Sequence, residues 1–238
     1  MEKLFLPIGS YENILAQIGR WKVISIKNLY EIMPVAISYQ GFAKQIRKLE
    51  SSGFVSSFLF PDKSKYIYLT RKGVMLVPYG VEYSHSKEMI VHDLKCGIVL
   101  RELLKFENFM EGQILGDKSE GLSPDAKILA KKKDKEYVLA LELELNQKSK
   151  DRIKEKFKKY SSSVTYHYVL YVFQSPEVMN AYTKILQAMP EIVQLKIILL
   201  LDTNLSNFNF DFKSAVCFFK EGPRSFESIF GYKIKFKR

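Results

Sequence analysis

Apolar residues recur along this chain in two rhythms, and the rhythms predict its elements. From residue 10 to residue 77 the first is helical. Ser10 precedes a segment over 11–19 in which Ile14, Leu15 and Ile18 share one face, the spacing that a 3.6-residue turn brings together. Ser25 opens a short helix over 26–32, which Pro34 stops. Ser38 opens a third over 39–51, ending at Gly53, with Phe42, Ile46 and Leu49 as its apolar stripe. The opposite face of that helix carries Gln40, Lys44, Gln45, Arg47 and Lys48. The rhythm then shortens to β-type runs over 54–60 and 66–70, on either side of the polar turn 61–65, which predicts a hairpin. Thr70-Arg-Lys-Gly73 starts a brief helix reaching Val77.

The stretch 78–88 breaks both rhythms and reads as a linker, dividing a first domain over 1–80 from a second over 86–238. A long helix over 87–105 opens the second domain, with Ile90, Leu94, Ile98, Leu100 and Leu104 as its stripe. Strands follow at 109–115, 126–131 and 137–145, then a lysine-rich helix over 149–160. Further strands are predicted at 166–173, 195–201 and, as an edge, 214–219, with a helix over 176–189 among them. This alternation predicts an α/β sandwich around a mixed central sheet.

Charge changes the picture. Across 238 residues, 37 Lys and Arg against 26 Asp and Glu leave a net charge of +11. Such an excess favours a polyanionic partner, nucleic acid or an anionic membrane surface. No apolar run is long enough to span a bilayer, and the first residues are too short and acidic for a signal peptide, so a cytoplasmic protein is expected. Cys96 and Cys217 read as buried free thiols. With two Cys and three His in the chain, zinc chemistry is not expected.

The candidate chemistry sits in Ser123-Pro-Asp125-Ala and Glu142-Leu-Glu144. Strand side chains alternate, so Glu142 and Glu144 face one side, and Asp125 at the start of the neighbouring strand can join them. Converging carboxylates repel one another unless a divalent cation lies between them. Asp125, Glu142 and Glu144 are therefore candidate ligands of Mg²⁺ or Mn²⁺. The strand around the two glutamates is apolar (Val138, Ala140, Leu141, Leu143, Leu145), where carboxylates need partners. In the basic helix behind it, Arg152, Lys156 and Tyr160 share a face. Lys156 is the candidate for neutralising charge at a scissile phosphate, with Lys148 and Lys150 as alternatives. Glu111 and Asp117 are possible outer ligands, and His92 a possible supporting residue. Tyr160, Tyr166 and Tyr168 carry hydroxyls, the last two in an apolar strand expected to be core.

Three resemblances follow from these residues. The order of three helices and a hairpin, with Leu49-Glu-Ser-Ser-Gly53 and Leu69-Thr-Arg-Lys-Gly73, resembles the winged helix-turn-helix family. That resemblance implies a third helix entering the major groove, with Ser38, Tyr39, Gln40, Lys44 and Arg47 facing DNA and Lys63 and Lys65 on a backbone-touching wing. The order helix, strand, Pro-Asp strand, Glu-x-Glu strand, helix, strand resembles the PD-(D/E)xK restriction-endonuclease-like core, with Asp125 and Glu142 at its two acidic positions. Glu144 stands where that core has Lys. The Lys156-x-x-x-Tyr160 end of the basic helix looks like the Gln-x-x-x-Tyr helix of RecB-type nucleases. Together with His92-Asp-Leu94, these features resemble replication-relaxation proteins and the MOBC class of plasmid relaxases. Membership implies a metal-dependent nick in double-stranded DNA at an origin of transfer or replication, alongside relaxosome or replication proteins. Two other functions stay open: a non-catalytic DNA-binding regulator with a nuclease-like scaffold, and a defence or repair endonuclease making double-strand cuts.

Overall fold

The computed structural model describes residues 5–34, 36–60, 63–78, 87–116, 122–220, 222–231 and 233–235. The chain divides into two compact units, Met1–Gly97 and Ile98–Arg238. The division falls inside a helix, downstream of the stretch 78–88.

The first unit contains α1 (Ser10–Trp21), α2 (Ile26–Ile32), α3 (Tyr39–Ser51) and the four-residue α4 (Arg71–Val74), with β1 (Val23–Ser25), β2 (Val55–Leu59) and β3 (Lys65–Leu69). The three strands form an antiparallel sheet in the order β1-β3-β2. Ser25, Ser38 and Thr70 cap α2, α3 and α4 by accepting hydrogen bonds from the third backbone N–H beyond each, relieving donors that a helix start leaves unpaired. The predicted stripes hold: Ile14, Leu15, Ile18, Phe42, Ile46 and Leu49 are all buried. The three-residue β1 is an addition, too short to give an alternating pattern in the sequence. The first turns of α5 (Lys87–Leu103) belong to this unit, where Asp93 forms a buried ion pair with Lys22 at 2.9 Å.

The second unit is a seven-stranded mixed sheet in the order β10-β9-β8-β7-β6-β5-β4. Its strands are β4 (Phe109–Ile114), β5 (Ala126–Lys132), β6 (Lys135–Glu144), β7 (Tyr168–Phe173), β8 (Ile197–Leu201), β9 (Val216–Phe219) and β10 (Gly222–Ser225). Strands β6, β7 and β8 are parallel and the remaining pairings antiparallel. The chain is thus mixed α/β. Strands β7 and β8 are near-continuous apolar runs, as expected of strands covered on both faces. One face packs α6 (Lys150–Ser162) and α7 (Pro176–Gln187) through Phe157, Tyr160, Tyr171, Phe173 and Tyr182. On the other, Leu100 of α5 closes so tightly on β4 that a Cβ at Gly112 would lie 2.5 Å from its side chain.

Three details depart from the sequence reading. β9 is not an edge: Gly222–Ser225, a Gly-Pro segment without strand propensity, pairs outside it. Two short helices, α8 (Glu191–Gln194) and α9 (Phe226–Phe230), lie in stretches too brief to show periodicity. Tyr168 is not core: it begins β7 and is 38% exposed.

Candidate active site

The acids meet through strand register. Ala126 pairs with Leu141 across β5 and β6, and extending that antiparallel register by one residue sets Asp125 opposite Glu142. Asp125 lies just before β5, where its Oδ2 accepts the backbone N–H of Leu143 at 2.7 Å. Glu142 and Glu144 both turn to the face covered by α6 and α7, the face shared by Ala140 and Tyr171. They are buried, with 2% and 5% exposure.

The basic helix supplies their partners. Ser149 caps α6, and Ile153, Phe157 and Tyr160 form the stripe that docks on the sheet. Lys156 and Tyr160, one turn apart, then reach the same carboxylate. Lys156 Nζ lies 2.6 Å from Glu142 Oε2, and the Tyr160 hydroxyl donates to Glu142 Oε1. A small cavity of about 20 Å³ adjoins Glu144, lined also by Lys148, Arg152, Lys156, Tyr171 and Tyr182. That is room for about one water-sized group. Among the described residues, the hydroxyls of Tyr171 and Tyr182 are buried without a hydrogen-bond partner. The Tyr182 hydroxyl is close enough to Glu144 to influence its titration, but no well-directed hydrogen bond joins them.

The electrostatics follow from burial. Burial pushes the Glu142 carboxyl up, the negative charge of Asp125 adds to the shift, and Lys156 and Tyr160 reverse only part of it, leaving a pKa of about 8. Glu144 is also raised, by burial first, with Lys156 and Lys148 acting against the shift. Burial opposes the charge on Lys156, but the carboxylates of Glu142, Glu144 and Asp125 outweigh it and raise its pKa. Lys156 therefore keeps its proton, and Glu142 holds a proton to higher pH than an ordinary carboxyl. The phenols of Tyr160 and Tyr171 are raised by burial and by the charge of Glu142.

The structure thus brings together Asp125, Glu142, Glu144, Lys156 and Tyr160. Of the alternative lysines, Lys148 lines the cavity and Lys150 does not. Among the described residues, no three His, Cys, Asp or Glu side chains close into a ready-made cation cage. Glu111 is exposed on β4 opposite Leu129, away from Asp125. Asp117 lies outside the described residues. His92 sits 3.6 Å from Asp93. Tyr171 and Tyr182 were not anticipated. Both are apolar-looking positions in the sequence, and only the pairing of Tyr171 with Glu142 across β6 and β7 reveals the first.

In the first unit, Tyr39, Gln40, Lys44 and Arg47 are exposed on α3, and Lys63 is exposed at a positive φ of 63°. Two residues are otherwise engaged. Ser38 spends its hydroxyl on capping α3. Lys65 is held by Glu50 at 2.7 Å.

No known family model matches the chain, and no curated protein is similar to it in sequence. Among solved structures, restriction endonuclease FokI is similar at 9% identity with a TM-score of 0.27, covering 84% of this chain and 45% of FokI. The DNA-bound form of FokI is similar at 14% identity and a TM-score of 0.28, covering 86% and 45%. This chain spans less than half the length of those chains, and likenesses this loose carry no argument about activity.

Proposed function

We propose that this protein is a divalent-metal-dependent DNA endonuclease. Its first unit would be a winged helix-turn-helix that binds double-stranded DNA. Its second unit would carry the cutting site at Asp125, Glu142, Glu144 and Lys156. The observation that carries the reading is the seating of two acids opposite each other on adjacent strands, with a lysine from the following helix 2.6 Å from one of them.

The donor set suits the cation. Mg²⁺ and Mn²⁺ take oxygen ligands, and Mg²⁺ commonly uses only one or two carboxylates while keeping several waters. Asp125 and Glu142 would supply those carboxylates, with Glu144 as a third. Burial and the neighbouring Asp125 raise the pKa of Glu142, and a cation between the two carboxylates would favour their ionised forms. A bound cation would neutralise charge on the scissile phosphate and make a bound water more acidic. The protein's own groups do the remaining work. Tyr160 fixes the Glu142 carboxylate, and Lys156 would turn its charge to the phosphate, where charge develops during cleavage. Lys148 and Arg152, lining the cavity beside Glu144, add positive charge that holds the DNA backbone. Exposed Tyr39, Gln40, Lys44 and Arg47 would face the duplex groove, with Ser38 and Lys65 contributing only if their present bonds are exchanged.

A single-strand nick at an origin of transfer or replication, as in relaxases, is the finer form of this proposal. It rests on the sequence resemblance. The test is conversion of supercoiled plasmid with Mg²⁺ or Mn²⁺. Wild type should yield open circles, and Asp125→Ala or Glu142→Gln should slow the reaction by roughly 10²-fold or more. Linear product at first cut would favour a double-strand endonuclease. Binding without any cutting by the wild type, or cutting that survives in the double variant, would favour the DNA-binding regulator.

A further inference from the structure

A second cavity lies at the far end of the same sheet. The β5–β6 hairpin and the start of β7 border a space of about 350 Å³, within the size range of small-molecule sites. Tyr137, in its wall, lies five residues before Glu142 on β6, or about 17 Å along a strand. Its parity also places it on the opposite face of the sheet from Glu142.

The walls are aromatic. Tyr137 and Tyr168 meet edge to face with centroids 5.6 Å apart, and Phe219 and Phe230 close the other side. Tyr168 is 38% exposed, so its ring is open to a ligand. Burial, and then the neighbouring Tyr168, push the Tyr137 phenol up to about 12, which keeps that ring neutral.

The mouth is basic. Lys132 and Lys135 stand directly opposite each other in the β5–β6 register and both line the cavity, where Lys132 Nζ donates to the Ile229 carbonyl at 3.1 Å. Like charges in such a pair destabilise a hairpin, and an anion between them reverses that. Lys220 lies over the ring of Phe219, one of the lining residues, at 5.7 Å. His167, also in the lining, accepts the Val138 N–H on Nδ1 at 3.0 Å, which leaves Nε2 as a donor. Among the described residues, Glu136 is the one acid in the lining. A purely apolar ligand would leave the lysine pair unrelieved, and a bare anion would leave the aromatic walls uncovered. A planar base joined to a phosphate satisfies both.

We propose that this cavity binds an unpaired nucleotide, its base against Tyr137 and Tyr168 and its phosphate between Lys132 and Lys135. The site stands whether or not the acid cluster cuts DNA.

Calorimetric titration of the full chain with thymidine 5′-monophosphate tests this. Saturable binding is expected, weakened about tenfold by Tyr168→Ala and by Lys135→Glu, each separately. Both side chains are exposed, and melting curves verify that the variants fold. Thymidine without phosphate should bind more weakly, and Glu142→Gln should bind the nucleotide as wild type does. A thymidine pentanucleotide separates the sources: tighter binding than the monophosphate assigns the site to single-stranded DNA, and equal binding to a free nucleotide. No saturation by the wild type, or unchanged affinity in both variants, overturns the proposal. So does a monophosphate that binds no better than inorganic phosphate.

Discussion

Glu142 is a carboxyl group whose burial, with the charge of Asp125 beside it, outweighs the help of Lys156 and Tyr160, and that has a measurable consequence. Its pKa is about 8 in the folded chain against an ordinary value of 4.5. Between those values the folded chain holds a proton that the unfolded chain has released. Stability therefore falls as pH rises through that window, by at most ~1.4 kcal/mol per pH unit, and the loss is complete above about pH 8. Below about pH 4.5 both states are protonated and the group adds no slope. Glu144 is shifted in the same direction, so it adds to the trend. Lys156 is raised from an already high value, so the stability it contributes is lost only above the ordinary lysine range and adds no slope here. Melting temperatures measured without divalent cations should decline from pH 5 to pH 8, and Glu142→Gln should reduce that decline. Mg²⁺ at pH 8 should raise the wild-type melting temperature more than that of Glu142→Gln, because the cation favours the ionised carboxylate. Identical slopes in the two proteins would mean that another group titrates.

At the scale of elements, Gly73 shows how a motif becomes geometry. Thr70 caps α4 and its hydroxyl also donates to the Gly53 carbonyl at 2.6 Å, tying α4 to the turn after α3. The backbone closes so tightly that a Cβ at Gly73 would lie 2.2 Å from the Phe54 carbonyl oxygen. Gly73→Ala should therefore destabilise the protein by about 2 kcal/mol, since backbone rather than a side chain must move. Denaturant unfolding that shows no change would refute this close approach. Much of this architecture was legible in the sequence, because long helices and buried strands announce themselves by period, as Phe42, Ile46 and Leu49 do. The pairing of acids in Asp125 and Glu142-Leu-Glu144 was legible for the same reason, through strand alternation. What stayed hidden depends on contacts between distant elements. The register that sets Tyr171 beside Glu142, and the helix docking that aims Lys156 at it, belong to β6–β7 pairing and α6 packing. Gly222–Ser225 carries no strand propensity and becomes β10 only because β9 offers it an open edge.

For the whole molecule, the net charge of +11 would make the proposed association with DNA a matter of counterions. Each phosphate neutralised by a Lys or Arg releases bound cations, so the logarithm of affinity should fall linearly with the logarithm of salt, at about −0.9 per contact on duplex DNA. Lys44 and Arg47 are exposed on α3, and neither contributes to the buried stripe. Replacing both with Ala should weaken duplex binding and, where both touch phosphate, reduce the slope by about two. Melting temperature should change little, because exposed charges add little to stability. Asp125→Ala, which removes a carboxylate and no positive charge, should leave duplex affinity and its salt slope intact or slightly improved while slowing the proposed cleavage by roughly 10²-fold or more. Fluorescence anisotropy with labelled duplex across a range of salt concentrations, run beside the plasmid assay on the same preparations, separates binding from cutting. A salt-independent affinity would remove nucleic acid from consideration as the partner. Loss of binding in Asp125→Ala together with a lowered melting temperature would instead assign Asp125 the structural task of holding the Leu143 N–H, at the point where β5 and β6 part.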